Sequence, residues 1–261
     1  MKAVLPRGSL ATLAVGLVLA ACSSGPRVPD WALEAHSAQQ RANEAHLSGD
    51  ARVAQVEAAR ARREWARTGR FDSVARAELS NCAVRFASLE MLTSGRTSQP
   101  ELASAPVPAS AAAATTAAAP PPTGCPGFEA LRQDAPDPER AYADFLLGTL
   151  DAPRIALLPA SQQAAVSAGT DAGRRLTAIR AIEDPLSRLV AAAAALRDGV
   201  APPGLAALAI DTASAQGWRR PLLAWLSLQM KRARAAGDNE AANALQRRIE
   251  LVSSSGGGAG R

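Results

Sequence analysis

The chain has 261 residues, of which 48% are hydrophobic and only 3% aromatic, with a formal net charge of +5 and a pI near 9.8. A core so poor in rings must be aliphatic and rich in alanine, which suits close-packed helices and disfavours a large sheet. The basic balance fits nucleic acid, anionic lipid headgroups or anionic polymers equally well, so the choice falls to the start of the chain.

Lys2 and Arg7 precede an apolar run from Leu10 to Leu19 that gives way to small residues, the layout of a secretory signal peptide. The run is shorter than the roughly 20 apolar residues that span a bilayer. Leu19-Ala20-Ala21-Cys22 resembles the lipobox of bacterial lipoproteins. That resemblance implies removal of residues 1–21, a diacylglyceryl thioether on Cys22 and an acylated new amino terminus. Each buried methylene adds about 0.8 kcal/mol, so two or three chains anchor stably where one does not. Ser23, where an Asp resembles the family's inner-membrane retention mark, implies an outer-membrane address facing the periplasm. A protein so placed meets membrane lipid, cell-wall polymer and envelope proteins, not nucleic acid. Residues 22–29 read as a short tether.

Residues 30–92 read as an N-terminal region of three helices, broken at Ser48-Gly49-Asp50 and Thr68-Gly69-Arg70, with Asp30, Asp50 and Asp72 placed as N-caps. Val53 and Val56 follow helical spacing in the second helix. Val74, Leu79, Cys82, Phe86 and Leu89 share one broad face of the third. Residues 93–124 change character: Pro100, Pro106, Pro108, an alanine-threonine run and Pro120-Pro121-Pro122 predict a disordered linker that cannot bury enough apolar surface to order itself.

The helical pattern returns over 125–252. Asp137-Pro138 and Asp184-Pro185 read as N-caps followed by a first-turn proline, with helices over Tyr142–Leu150 and Asp171–Ile182. Leu157-Leu158-Pro159 lies in an irregular connection. Leu186, Leu189, Val190, Ala193 and Leu196 make one apolar stripe facing a core. Pro202-Pro203 opens the next helix, Gly217 closes it, and two more follow: one with Leu222, Trp225 and Leu226, the other capped by Asp238 with Ala242, Leu245, Ile249 and Val252 inward. Residues 253–261 read as a flexible Ser/Gly tail. Gly49-Asp50 with Ala54, Ala58 and Ala61, and Gly237-Asp238 with Ala242, are similar to the turn and second helix of tetratricopeptide-like helical hairpins. No 34-residue period runs through the chain. The predicted class is therefore all-α: helical hairpins or a bundle, in two helical parts joined by an Ala/Pro-rich linker.

With Cys22 acylated, Cys82 and Cys125 remain, and an even pair in an oxidising compartment reads as one disulfide. His36 and His46 stand ten residues apart, roughly 15 Å along one helix, too far to chelate one metal, and read as surface residues. Arg60, Arg63, Arg67 and Arg70 share a side of the second helix, with Glu57 and Glu64 in range of intrahelical pairing. Trp218-Arg219-Arg220 opens the densest aromatic and cationic stretch. Trp and Arg are enriched at binding hot spots, which makes Trp218, Arg219 and Arg220 the partner-contact candidates; a Trp capping the core at a helix junction is the alternative. No Gly-x-Ser-x-Gly, His-Glu-x-x-His, Ser-x-x-Lys or phosphate loop occurs, and no catalytic residue, metal or cofactor is expected. The expected function is a non-catalytic helical scaffold or assembly factor of the cell envelope. The alternatives are a cell-wall hydrolase using an isolated acid such as Glu129, Glu139 or Glu183, and a structural tether between outer membrane and peptidoglycan.

Overall fold

A computed structural model describes residues 28–93 and 124–255. The expectations for the signal peptide, for Cys22, for most of its tether, for nearly all of the 93–124 linker and for the end of the tail lie outside these residues. Within them the chain forms twelve α-helices and one 3-10 helix, and no strand, so the protein is all-α as its composition predicts.

Helices α1 (Asp30–Ser48) and α2 (Ala51–Ala66) form an antiparallel hairpin. Gly49 sits at φ 94° and its amide and that of Asp50 bond back to His46 and Ala45 carbonyls, the left-handed helix end that glycine alone adopts cheaply. Asp50 then caps α2 by accepting from the Val53 amide at 3.0 Å. The two helices meet through alanine: Ala35, Ala38 and Ala42 on one side, Ala54 and Ala61 on the other, all buried. Val53 and Val56, which follow helical spacing, are exposed; the alanine stripe one position along admits a closer approach of the two backbones and takes the buried side.

Helix α3 (Phe71–Ala87) buries the predicted face, with Val74, Leu79, Cys82 and Phe86 in the core. Asp72 is not its N-cap but lies in its first turn, as Asp30 and Asp137 do in theirs; there a carboxylate still meets the positive end of the helix. Leu89 follows at φ +60°, a left-handed conformation costing a branched residue on the order of 1–2 kcal/mol. Burial of its side chain holds that conformation, and the turn sets the direction of α4 (Glu90–Thr93).

The second stretch opens with α5 (Pro126–Glu129) and α6 (Asp137–Leu147), then a 3-10 helix (Ala152–Leu157), α7 (Ala160–Ser167) and α8 (Ala172–Ala181). Cys125 is disulfide-bonded to Cys82 with the Cα atoms 5.6 Å apart, which fastens the start of α5 to α3. Helix α9 (Pro185–Arg197) is the centre of the molecule. Sequence predicts one apolar stripe; instead Leu189, Val190 and every residue from Ala191 to Ala195 are at most 1% exposed, because α3, α7, α8 and the next helix, α10 (Leu205–Ala215), pack around it. Helices α11 (Arg219–Ala235) and α12 (Asn239–Ser254) close the fold as a second hairpin, with Asp238 capping α12 through the Ala241 amide. Buried polar groups tie the outer helices to α9: the Gln162 amide donates to the Ser187 carbonyl at 2.9 Å, and the Arg175 guanidinium pairs with Asp198.

Candidate binding cleft

Trp218, Arg219 and Arg220 stand at the start of α11, where it crosses the end of α1. Trp218 is only 9% exposed and its indole Nε1 donates to Glu44 Oε2 at 3.1 Å. The Arg219 guanidinium lies so close to Gly49 that a Cβ there would fall 2.9 Å from it. Arg220 Nη1 donates to Glu90 Oε1 at 2.9 Å. Trp218 and Arg220 thus have partners within the chain, Arg219 lies half-buried beside Gly49, and Trp218 sits at the junction of α1 and α11. Two turns on from Trp218, Trp225 is fully buried and donates to the Ala87 carbonyl at 3.2 Å, joining α11 to α3.

Glu90 is the hub of this joint. His46 Nε2 lies 3.1 Å from Glu90 Oε1, off the line of a well-formed hydrogen bond, and Arg85 Nε lies 3.6 Å from Oε2. Burial pushes the Glu90 carboxyl up, but contacts with His46 and Arg220 outweigh it and hold the group below its ordinary 4.5. A group with a lowered folded-state pKa stabilises fully above its unfolded value, and that stabilisation fades as pH falls through the lower folded value. Glu90→Gln is thus expected to cost about 2 kcal/mol at neutral pH and to flatten the stability profile below pH 4.5, read by urea melts from pH 3 to 7. An unchanged profile would show that the joint does not depend on the charge. His46 is half-buried here rather than a surface residue, whereas His36 is exposed, edge-on to Trp65 at 4.7 Å. Of the four arginines expected on one side of the second helix, Arg67 is its C-cap and Arg70 lies beyond it as the N-cap residue of α3; Arg60 pairs with Glu34, Arg67 with Glu64 and Arg70 with Asp72.

A concavity with mainly apolar walls lies on the other side of α3. The 3,4-spaced residues Arg76, Leu79, Ser80 and Ala83 form one wall. Glu139 and Tyr142, one turn apart on α6, form the second, and Leu186 and Val190 of α9 the floor. The end of the 3-10 helix and Pro159 close the mouth around about 520 Å³, the size of a small-ligand or short-peptide site. Glu139 is placed by the first turn of α6 with its side chain 7% exposed. Its Oε1 accepts from Arg76 Nε at 2.6 Å; its Oε2 is buried, and no group of the described residues donates to it. Burial, aided by the charge of Asp184, raises the Tyr142 hydroxyl well above its ordinary range, so it remains a protonated donor. Of the acids singled out in the sequence, Glu129 is paired with Arg132, Glu183 is exposed on the surface, and Glu139 alone reaches the cleft. Among the described residues Glu139 is the one carboxylate in its lining. No group of three residues able to hold a metal ion occurs among the described residues, and no described helix is long and apolar enough to cross a membrane.

Sequence reading had no signal for this site beyond the Glu139–Tyr142 spacing, because its walls come from three helices distant in the chain. Comparison with known protein families, curated proteins and solved structures finds no match to this chain.

Proposed function

We propose that this chain is an outer-membrane lipoprotein, anchored at Cys22 and facing the periplasm, whose helical body acts without catalysis as a scaffold holding an envelope partner. The observation that supports this reading best is a preformed cleft in a firmly fastened body. Trp218 to Glu44, Arg220 to Glu90, Trp225 to Ala87 and the Cys82–Cys125 bond tie the N-terminal helices to the rest, while the cleft presents apolar walls around one buried carboxylate. A site held by rigid elements binds without the entropy of ordering itself. The anchor rests on the lipobox resemblance, and the outer-membrane address on Ser23.

Two measurements test the reading. Metabolic labelling with a palmitate analogue is expected to mark the protein and to vanish in Cys22→Ala; retained label sinks the anchor. A photo-crosslinking residue at Leu157, on the cleft mouth, is expected to capture a discrete partner in living cells, and one at Leu251, exposed on α12, is not. The same products from both positions, or none from Leu157, overturn the scaffold. The hydrolase reading keeps one specific support, Glu139 in a cleft; release of soluble fragments from purified cell wall, lost in Glu139→Gln, would establish it instead.

A further inference from the structure

We infer that the cleft takes a protonated aliphatic amine, its ammonium on Glu139 and its hydrocarbon stem along Leu79, Leu186 and Val190. The inference rests on the cleft being the binding site and goes on to its ligand's chemistry. The Glu139 carboxyl faces the Arg76 guanidinium at 2.6 Å and stands in the first turn of α6, at the positive end of that helix. One of its oxygens is satisfied by Arg76; the other is buried without a donor among the described residues. A buried anionic acceptor left without a donor is costly, and a charged donor repays more of that cost than a neutral one.

The remaining lining selects the rest of the molecule. Among the described residues Arg76 is the single cation at the cleft, and it reaches in from the rim, 65% exposed and shared with Asp72 at 3.5 Å. An anionic ligand therefore finds its only counter-charge already engaged by two carboxylates, and meets Glu139 as a like charge. Asp184, close enough to act on Tyr142, adds to the negative field. Tyr142 lines the same cleft one turn on from Glu139, and a phenol oxygen can accept a hydrogen bond as well as donate one. The leucine and valine walls offer nothing to a polar stem and favour methylenes, whose burial away from water is favourable. A short stem of four to six methylenes ending in an ammonium meets all of these demands; a lysine side chain on a peptide and a free alkylamine share that chemistry.

The test is calorimetric titration of the purified chain, residues 22–261, with hexylammonium, hexanol and hexanoate, and with the peptides Ala-Lys-Ala and Ala-Nle-Ala. The expected order is hexylammonium tighter than hexanol by about 10-fold or more, with no binding of hexanoate. In Glu139→Gln the amine and alcohol should converge to within about 2-fold. If only the peptide pair shows the lysine preference, the source is a peptide; if only hexylammonium does, it is a small amine. Leu186→Trp, which fills the floor, should abolish binding of every probe while helicity is retained, and this holds even if Glu139→Gln fails to fold. No preference for the charged member in either pair, or binding of no probe by the unmodified chain, overturns the inference. That result leaves the scaffold standing if the Leu157 crosslink is still specific, so the two readings fail separately.

Discussion

Trp225→Ala is expected to lower the stability of the fold by about 4 kcal/mol, the usual cost of emptying a large buried aromatic site. Trp225 is 0% exposed, its ring sits in the core, and its Nε1 is bonded to the carbonyl of Ala87 at the end of α3. Truncation leaves both a cavity and a buried carbonyl without its donor. For a chain of this size the loss corresponds to roughly a 10 °C fall in melting temperature. Trp225→Phe separates the two terms: it keeps most of the ring and should cost about 1 kcal/mol, the value of one hydrogen bond. Thermal and urea melts measure both. A loss below 1 kcal/mol for the alanine variant would show that α11 does not depend on this contact with α3.

The second large effect is expected from the disulfide. Cys82 and Cys125 are 43 positions apart, and closing a loop of that length restricts the unfolded chain by about 4 kcal/mol in the chain-entropy model. Both ends are embedded in the core: Cys82 on the buried face of α3, Cys125 immediately before α5, whose Phe128 is completely buried. The native arrangement of these residues does not need the bond to be compact, so the reduced protein should fold with its helices intact and melt earlier. Urea denaturation with and without reductant, and of Cys82→Ser with Cys125→Ser, should give matching shifts of the midpoint. A reduced protein as stable as the oxidised one, or two free thiols in protein purified from an oxidising compartment, would refute this.

The parts of the fold legible in the sequence are those whose side chains differ sharply between faces. In α3 large apolar residues recur every three or four positions, and the face they define is the buried one. Helix α9 misled because alanine carries little hydrophobic signal. Ala191 to Ala195 look neutral in the pattern, yet they let four neighbours come close on every side. The same bias hid the interior face of α2, where the larger Val53 and Val56 drew attention from Ala54 and Ala61. Short elements such as α4, α5, α7 and the 3-10 helix are too brief to show a period. Trp218, Arg219 and Arg220 carry the composition of a binding hot spot, and an internal joint between helices uses the same residues for the same reasons: a wide flat ring, an indole donor and forked cations. Composition does not tell whether the acceptor lies on another molecule or on Glu44 and Glu90 of the same one. Glu139 was one acid among three until α3 and α9 supplied the walls around it.

The bond between Cys82 and Cys125 also changes what a proteolytic cut can accomplish. A backbone break anywhere from residue 94 to residue 123 falls inside the ring that this bond closes, so the two fragments remain one covalent molecule, and Trp225 and Trp218 still clasp α3 and α1 across the break. With Cys22 acylated, such a nicked protein would keep its C-terminal fragment at the membrane through sulfur rather than through the peptide chain. Shedding of that fragment would then require two events, a protease and a reductant, in either order.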